Sequence, residues 1–216
     1  MVEVLVEKLR SSTASLVTDS LTCNTDICEA AACALANLLS LHAPNATKMI
    51  NMGGLEVLFQ ILNSCSSVDL LDADQATLIQ ANVANALANT IAILGENRLR
   101  LAQGIATLSV NIRERAQILL PRSIPHYIVV LCAASLSAAR RAASLLLGNL
   151  ACNSELRNEL GELGAVEALW SVSRNHQNSA ERTTALWALS NLTWCNSANQ
   201  FLIPICLWNQ LMATMR

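Results

Sequence analysis

The sequence predicts an all-α fold, a right-handed superhelix of stacked helical repeats. Three observations lead there. Two short sequence elements recur in alternation along the 216 residues. Both carry the three-and-four spacing of apolar residues that marks a buried helix face, and no run alternates as a strand does. The residue just before each register mark is always small, as expected where helices of successive copies press together.

The first element opens the chain as Val2-Glu3-Val4-Leu5-Val6-Glu7-Lys8-Leu9 and returns as Leu55-Glu56-Val57-Leu58-Phe59-Gln60-Ile61-Leu62. A third copy is Val166-Glu167-Ala168-Leu169-Trp170, and a divergent fourth is Ile124-Pro125-His126-Tyr127-Ile128-Val129-Val130-Leu131. Gly53-Gly54 and Gly164 precede two of these copies, where the chain must reverse. The second element reads Ala34-Leu35-Ala36-Asn37-Leu38, Ala86-Leu87-Ala88-Asn89-Thr90, Leu146-Leu147-Gly148-Asn149-Leu150 and Ala188-Leu189-Ser190-Asn191-Leu192. Its asparagines lie 52, 60 and 42 residues apart. Ala and Leu, strong helix formers, dominate it. Ala185, Leu189 and Leu192 form its core stripe, and Asn178 with Glu181 reads as a capping box opening the last copy. Ala36, Ala88, Gly148 and Ser190 are the small column.

These elements resemble those of the armadillo repeat family, whose unit of about 42 residues has one short helix and two longer ones. The glycine-preceded element resembles the family's second helix, and the Ala-Leu-x-Asn-Leu element its third. The resemblance implies one solenoid over residues 1–216 with about four repeats, near 27–62, 80–131, 138–173 and 180–212. Irregular insertions are expected near 13–26, 64–75 and 96–120. Both ends fall inside a repeat, which implies truncation and apolar end faces.

The family's third helices line a concave groove. By that resemblance Asn37, Asn89, Asn149 and Asn191 form a ladder along it. A carboxamide can pair with both N–H and C=O of an extended peptide. Trp187, four residues before Asn191, shares its face, and Trp194 extends the stripe. This Trp-x-x-x-Asn pair resembles the importin-alpha family of nuclear-import receptors, whose tryptophans hold lysine stems. The corresponding positions of the other copies are Cys33, Asn85 and Leu145. Each asparagine and Trp187 also has a purely structural reading, as a staple or as packing between repeats. Trp170 and Trp208 fall on second helices and read as packing or convex-face residues.

Composition narrows the function. Hydrophobic residues make up 53% and charged residues 14% of the chain, against roughly 25% charged in ordinary globular proteins. Net charge is −2, which suits no general nucleic-acid binder. The longest apolar run, Ile128 to Ala134, is too short to span a bilayer, and the first residues lack the pattern of a signal peptide. No membrane insertion is expected, and location is expected in cytoplasm or nucleus. The eight cysteines form no C-x-x-C pair and read as buried free thiols; neither a metal nor a cofactor is expected. No nucleotide loop or nucleophile motif is present, and His42, His126 and His176 lack arranged partners, so catalysis is not expected.

Three readings remain. The first is a scaffold or adaptor binding extended segments of other proteins. The second is a nuclear-transport receptor for basic signals. The third is a structural solenoid segment in a larger assembly. Apolar end faces also predict self-association of the isolated chain, visible as a rise in apparent mass by light scattering at high concentration; a clean monomer would count against exposed ends.

Overall fold

The computed structural model describes residues 1–16, 24–67, 73–101, 128–175 and 177–203. Among these described residues every regular element is a helix and none is a strand. The chain divides into two compact units, Met1–Ile124 and Pro125–Arg216.

The first unit contains α1 (Val2–Leu16), α2 (Asn24–Leu39), α3 (Ala43–Asn51), α4 (Gly54–Ser67) and α5 (Ala73–Leu101). Its core forms where the apolar periodicities meet. Val2, Val6 and Leu9 of α1, Leu35 and Leu39 of α2, Leu58 and Ile61 of α4, and Ile79 and Leu87 of α5 are all buried. Helix α2 packs along both α1 and α5. Here α1 and α4 stand as second helices, α2 and α5 as third helices, and α3 as the short first helix of the intervening repeat. Gly53 sits at φ 70°, in the left-handed region that admits glycine readily. That conformation turns the chain from α3 into α4, as the Gly53-Gly54 pair predicted.

The second unit contains α6 (Ser137–Ala151), α7 (Ser154–Glu162), α8 (Ala165–Ser173), α9 (Ser179–Thr193) and the short α10 (Ser197–Phe201). Third helices α6 and α9 share the most extensive packing, and α8 backs α9. Ala185, Leu189 and Leu192 are buried, as their spacing predicted. Gly164, at φ 84°, makes the α7–α8 reversal.

The junctions leaving α2 and α9 are built alike. Leu41 and Cys195, each four residues past the register asparagine, adopt φ 56° and 51° and end the helix. His42 and Asn196, one residue on, cap the next helix: Nδ1 of His42 accepts from the Asn45 amide at 3.2 Å, and Oδ1 of Asn196 from the Asn199 amide at 3.0 Å. Asn45 and Asn199, eight residues past the register mark, then reach back to the carbonyls of Leu38 (2.8 Å) and Leu192 (3.0 Å). At the same position after Asn149 stands Arg157, whose Nε donates to Ala151 O at 2.8 Å.

The expected insertions are partly helical. Helices α1 and α4 run on to Leu16 and Ser67, and α2 and α5 begin at Asn24 and Ala73. Residues 96–101 continue α5; the rest of the 96–120 insertion, with His126, His176 and Trp208, lies outside the described residues. Helix α5 does not stop after Asn89 because Ile93 and Leu94 occupy the positions where the other junctions have a left-handed residue and a cap.

The thiol expectation needs correction. Cys28, Cys65 and Cys132 are buried, but Cys33, Cys152 and Cys195 are exposed. Cys33 and Cys152 stand four before and three after a register asparagine, on the outer stripe of a third helix, and Cys195 ends one. Burial pushes the Cys28 thiol up to about 11 and those of Cys65 and Cys132 up to about 12, so these three stay protonated at neutral pH.

Asn178 caps α9 as predicted, accepting from the amides of Ala180 and Glu181 at 3.1 Å each. Glu181 does more than close a capping box. Its carboxylate is fully buried and takes both Nε and Nη2 of Arg140 from α6, at 3.0 and 2.9 Å. Asn175 and Asn178 add bonds at 3.2 and 3.3 Å. Asn178 also donates to Ser137 Oγ at 2.8 Å. This network ties together the starts of the two third helices.

Burial alone would raise the Glu181 carboxyl. The bonds and charge of Arg140, with Ser137 and Asn175, outweigh it and hold the group below its ordinary 4.5. Its stabilisation is therefore complete above that value and lost as pH falls from 4.5 through the lower folded value. Arg140→Leu should cost about 3–5 kcal/mol at pH 7, since it strands a buried carboxylate. The variant should recover part of that loss on mild acidification, opposite in sign to the parent. Urea titrations at pH 7 and 4 check this; parallel pH profiles would show that the pair contributes nothing.

Candidate functional site

A third helix buries one stripe and leaves another facing out. On α9 the outer stripe is Ala180, Thr183, Thr184, Trp187, Asn191 and Trp194, spaced three and four apart. On α6 it is Ala138, Arg141, Leu145 and Asn149, with Cys152 just past the helix end. On α2 it carries Ala30, Cys33 and Asn37, and on α5 Leu78, Asn82, Asn85 and Asn89.

The register asparagines sit beside one another in pairs within each unit. Asn89 Nδ2 donates to the carbonyl of Ala36, the residue before Asn37, at 2.9 Å. Asn191 Nδ2 donates to the carbonyl of Gly148, the residue before Asn149, at 3.2 Å. Asn89 and Asn191 thus each link their third helix to the preceding third helix of the unit at the same repeat position. Asn37 Nδ2 lies 3.9 Å from Cys33 Sγ one turn back, and Asn149 is half-buried on its stripe. The small column is buried at all four positions.

Gly148 shows why the column must be small. A Cβ placed there would lie 2.2 Å from Cζ3 of Trp187. The indole of α9 rests on the glycine of α6 while the Asn191 amide bonds that glycine's carbonyl. Trp187 nevertheless stays 37% exposed. It both packs across the repeat boundary and presents ring surface to solvent. Trp194 is 54% exposed; it caps the end of α9, and its carbonyl accepts from Arg157 Nη1. Trp170 is half-buried on α8, with the Arg174 guanidinium 6.0 Å from its ring centre.

Sequence reasoning missed two parts of this surface. Asn82 and Asn85 are half-buried on the stripe of Asn89, at i, i+3 and i+7, and make no side-chain hydrogen bond to the described residues. Their spacing was the available signal, but only Asn89 recurs from copy to copy as a register mark. Glu181 read in the sequence only as part of a capping box. Only the fold shows that Arg140 removes it from the surface.

No protein-family model matches the chain, and no curated protein matches it. Among solved structures, two engineered proteins known from crystal structures match with 22% identity each. They cover 88% and 87% of this chain, with TM-scores of 0.57 and 0.55. The chain spans 62% of the length of each. At this identity the likeness is one of fold. A designed armadillo repeat protein in complex with the peptide (KR)4 matches with 20% identity over 87% of this chain and 85% of that one, at TM-score 0.42. The order of short first helix, second helix and third helix, with the asparagine register, makes the fold of this chain an armadillo-like all-α repeat. Among the described residues no helix is long and apolar enough to cross a membrane.

The glycine–indole contact has a direct test. Gly148→Ala should destabilise by about 1–3 kcal/mol through overpacking. In a Trp187→Ala background the same change should be neutral or stabilising by up to about 1 kcal/mol, the helix-propensity gain of alanine over glycine. Thermal unfolding of the four proteins of the cycle measures the coupling; additive effects would mean that the ring does not rest on this glycine.

Proposed function

We propose that the outer stripes of the third helices bind extended segments of partner proteins, and that the chain works as a scaffold or adaptor. One observation carries this reading. The stripes hold amide and indole side chains that remain accessible after the core is complete: Asn82, Asn85 and Asn89 in the first unit, Trp187, Asn191 and Trp194 in the second. A carboxamide serves both the N–H and the C=O of an extended backbone, and exposed indoles supply flat apolar area with a donor at the edge. Such side chains suit main-chain recognition supplemented by pockets for alternate side chains. On this reading the ladder comprises Asn37, Asn89, Asn149 and Asn191 with Trp187 and Trp194, extended by Asn82 and Asn85. The partners are other proteins, met in cytoplasm or nucleus, without nucleic acid or cofactor.

The bonds from Asn89 to Ala36 and from Asn191 to Gly148 support the second reading, a structural solenoid segment in which the asparagines are staples. The two readings separate at Asn82 and Asn85, which no observed bond requires for folding. The double variant Asn82→Ala/Asn85→Ala should keep the parent's melting temperature. It should weaken binding of peptides selected by display on the full chain by about tenfold, as measured by calorimetry. Trp187→Ala should lose roughly 2 kcal/mol of binding in the second unit, as interface tryptophans often do. Unchanged affinities in both variants would leave the staple as the sole role of these stripes.

A further inference from the structure

The reading of the stripes as a peptide surface leaves the charge of the ligand open. The second unit narrows it. Helices α6 and α9 contain three arginines and one acid: Arg140, Arg141, Arg182 and Glu181. Glu181 is fully buried and takes both arms of Arg140, so this pair presents no carboxylate to a ligand. Arg182 is half-buried, nine residues from Asn191 and hence on the opposite side of α9, about 180° around at roughly 100° per residue. Arg141 alone remains. It is exposed, lies on the same stripe as Leu145 and Asn149, and makes no ion pair among the described residues. Its counterpart one repeat on is the uncharged Thr183. The acids Glu155, Glu159, Glu162 and Glu167 belong to α7 and α8, not to the third helices.

A surface that receives lysine or arginine side chains through ion pairs needs carboxylates, and the third helices α6 and α9 expose none. They offer one exposed cation, Arg141, and Trp187, a residue 37% exposed. Gly148, which carries the ring, lies seven residues beyond Arg141, about 10 Å along the helix at 1.5 Å per residue. An extended chain covers that span in about three residues. We infer that the α6–α9 surface, on the peptide-binding reading, selects acidic extended segments, Arg141 receiving a ligand carboxylate and Trp187 an apolar side chain about three residues away. A guanidinium suits the carboxylate through two parallel N–H bonds.

The test uses the full chain and three synthetic ten-residue peptides. They share a leucine at the centre and differ in the flanking positions three residues away, which are aspartate, serine or lysine. Affinity is read by calorimetry at low and high salt, in the parent, Arg141→Glu and Trp187→Ala. The aspartate peptide should bind at least tenfold tighter than the lysine peptide at low salt, and the gap should shrink with salt. Arg141→Glu should reverse the order while helix content and melting temperature hold. If lysine binds as tightly as aspartate, or Arg141→Glu leaves the ranking unchanged, the charge selection is wrong. The peptide surface itself then stands provided that Trp187→Ala still weakens all three. If none of the peptides binds, both the selection and the peptide reading of this unit fall.

Discussion

The third helices of each unit share one bond type, from an asparagine amide to a backbone carbonyl on the preceding third helix. Asn89 reaches Ala36 and Asn191 reaches Gly148. A helical carbonyl has a second lone pair besides the one used in its own helix, so the bond adds to helix hydrogen bonding. It also demands a small residue at the accepting position, because a short carboxamide cannot span a bulky one. Ala36 and Gly148, the accepting residues, meet this constraint. In the second unit Trp187 tightens it further, filling with an indole the space that a Cβ at Gly148 would need.

The amide contact fixes the pair of helices at one end, and polar groups fix it at the other. In the second unit these are Arg140 and Glu181 with Asn175, Asn178 and Ser137; in the first, Gln75 donates to Asp26 at 2.8 Å. The two differ in consequence. Gln75 and Asp26 lie at the surface and are worth little beyond orientation. Arg140 and Glu181 are shielded, so either partner alone would be costly. The next first helix is then attached by the residue eight beyond the register mark, Asn45, Arg157 or Asn199. Asn199 fits because Gly161 lacks a side chain: a Cβ there would lie 1.9 Å from Asn199 Oδ1. Gly148 and Gly161 thus each make room for a side chain that crosses from another helix.

The fold was legible because its main signals are local. Helix propensity, apolar spacing and Gly53 and Gly164 before the second helices all lie within a few residues of what they determine. The register asparagines could be found by repetition alone. The fate of side chains was less legible because it depends on residues about 40 positions away. Nothing local to Glu181 announces Arg140, and nothing local to Gly148 announces Trp187. Cys33 and Cys152 were read as buried from residue type, yet their place on the outer stripe exposes them. The continuation of α5 through Ile93 and Leu94 was readable in principle. The β-branched Ile93 resists a left-handed conformation, and Leu94 has no side-chain acceptor that could cap a helix.

Staple and ligand contact are compatible uses of the same asparagine. A carboxamide has two N–H donors and an acceptor oxygen with two lone pairs. The contacts to Ala36 and Gly148 use one donor each. In Asn89 the second donor and the oxygen stay available among the described residues, the pair of functions that an extended backbone requires; in Asn191 Nδ2 also lies 3.6 Å from Cys152 Sγ, which leaves the oxygen. The staple also fixes the carboxamide's orientation before a ligand arrives, which reduces the ordering cost of binding. Asn82 and Asn85 lack such a tether and can turn to follow the ligand. Trp187 follows the same logic: contact with Gly148 holds one part of the ring, leaving a fixed apolar surface outward. The contacts that align the helices can therefore preorganise the surface that the repeats present.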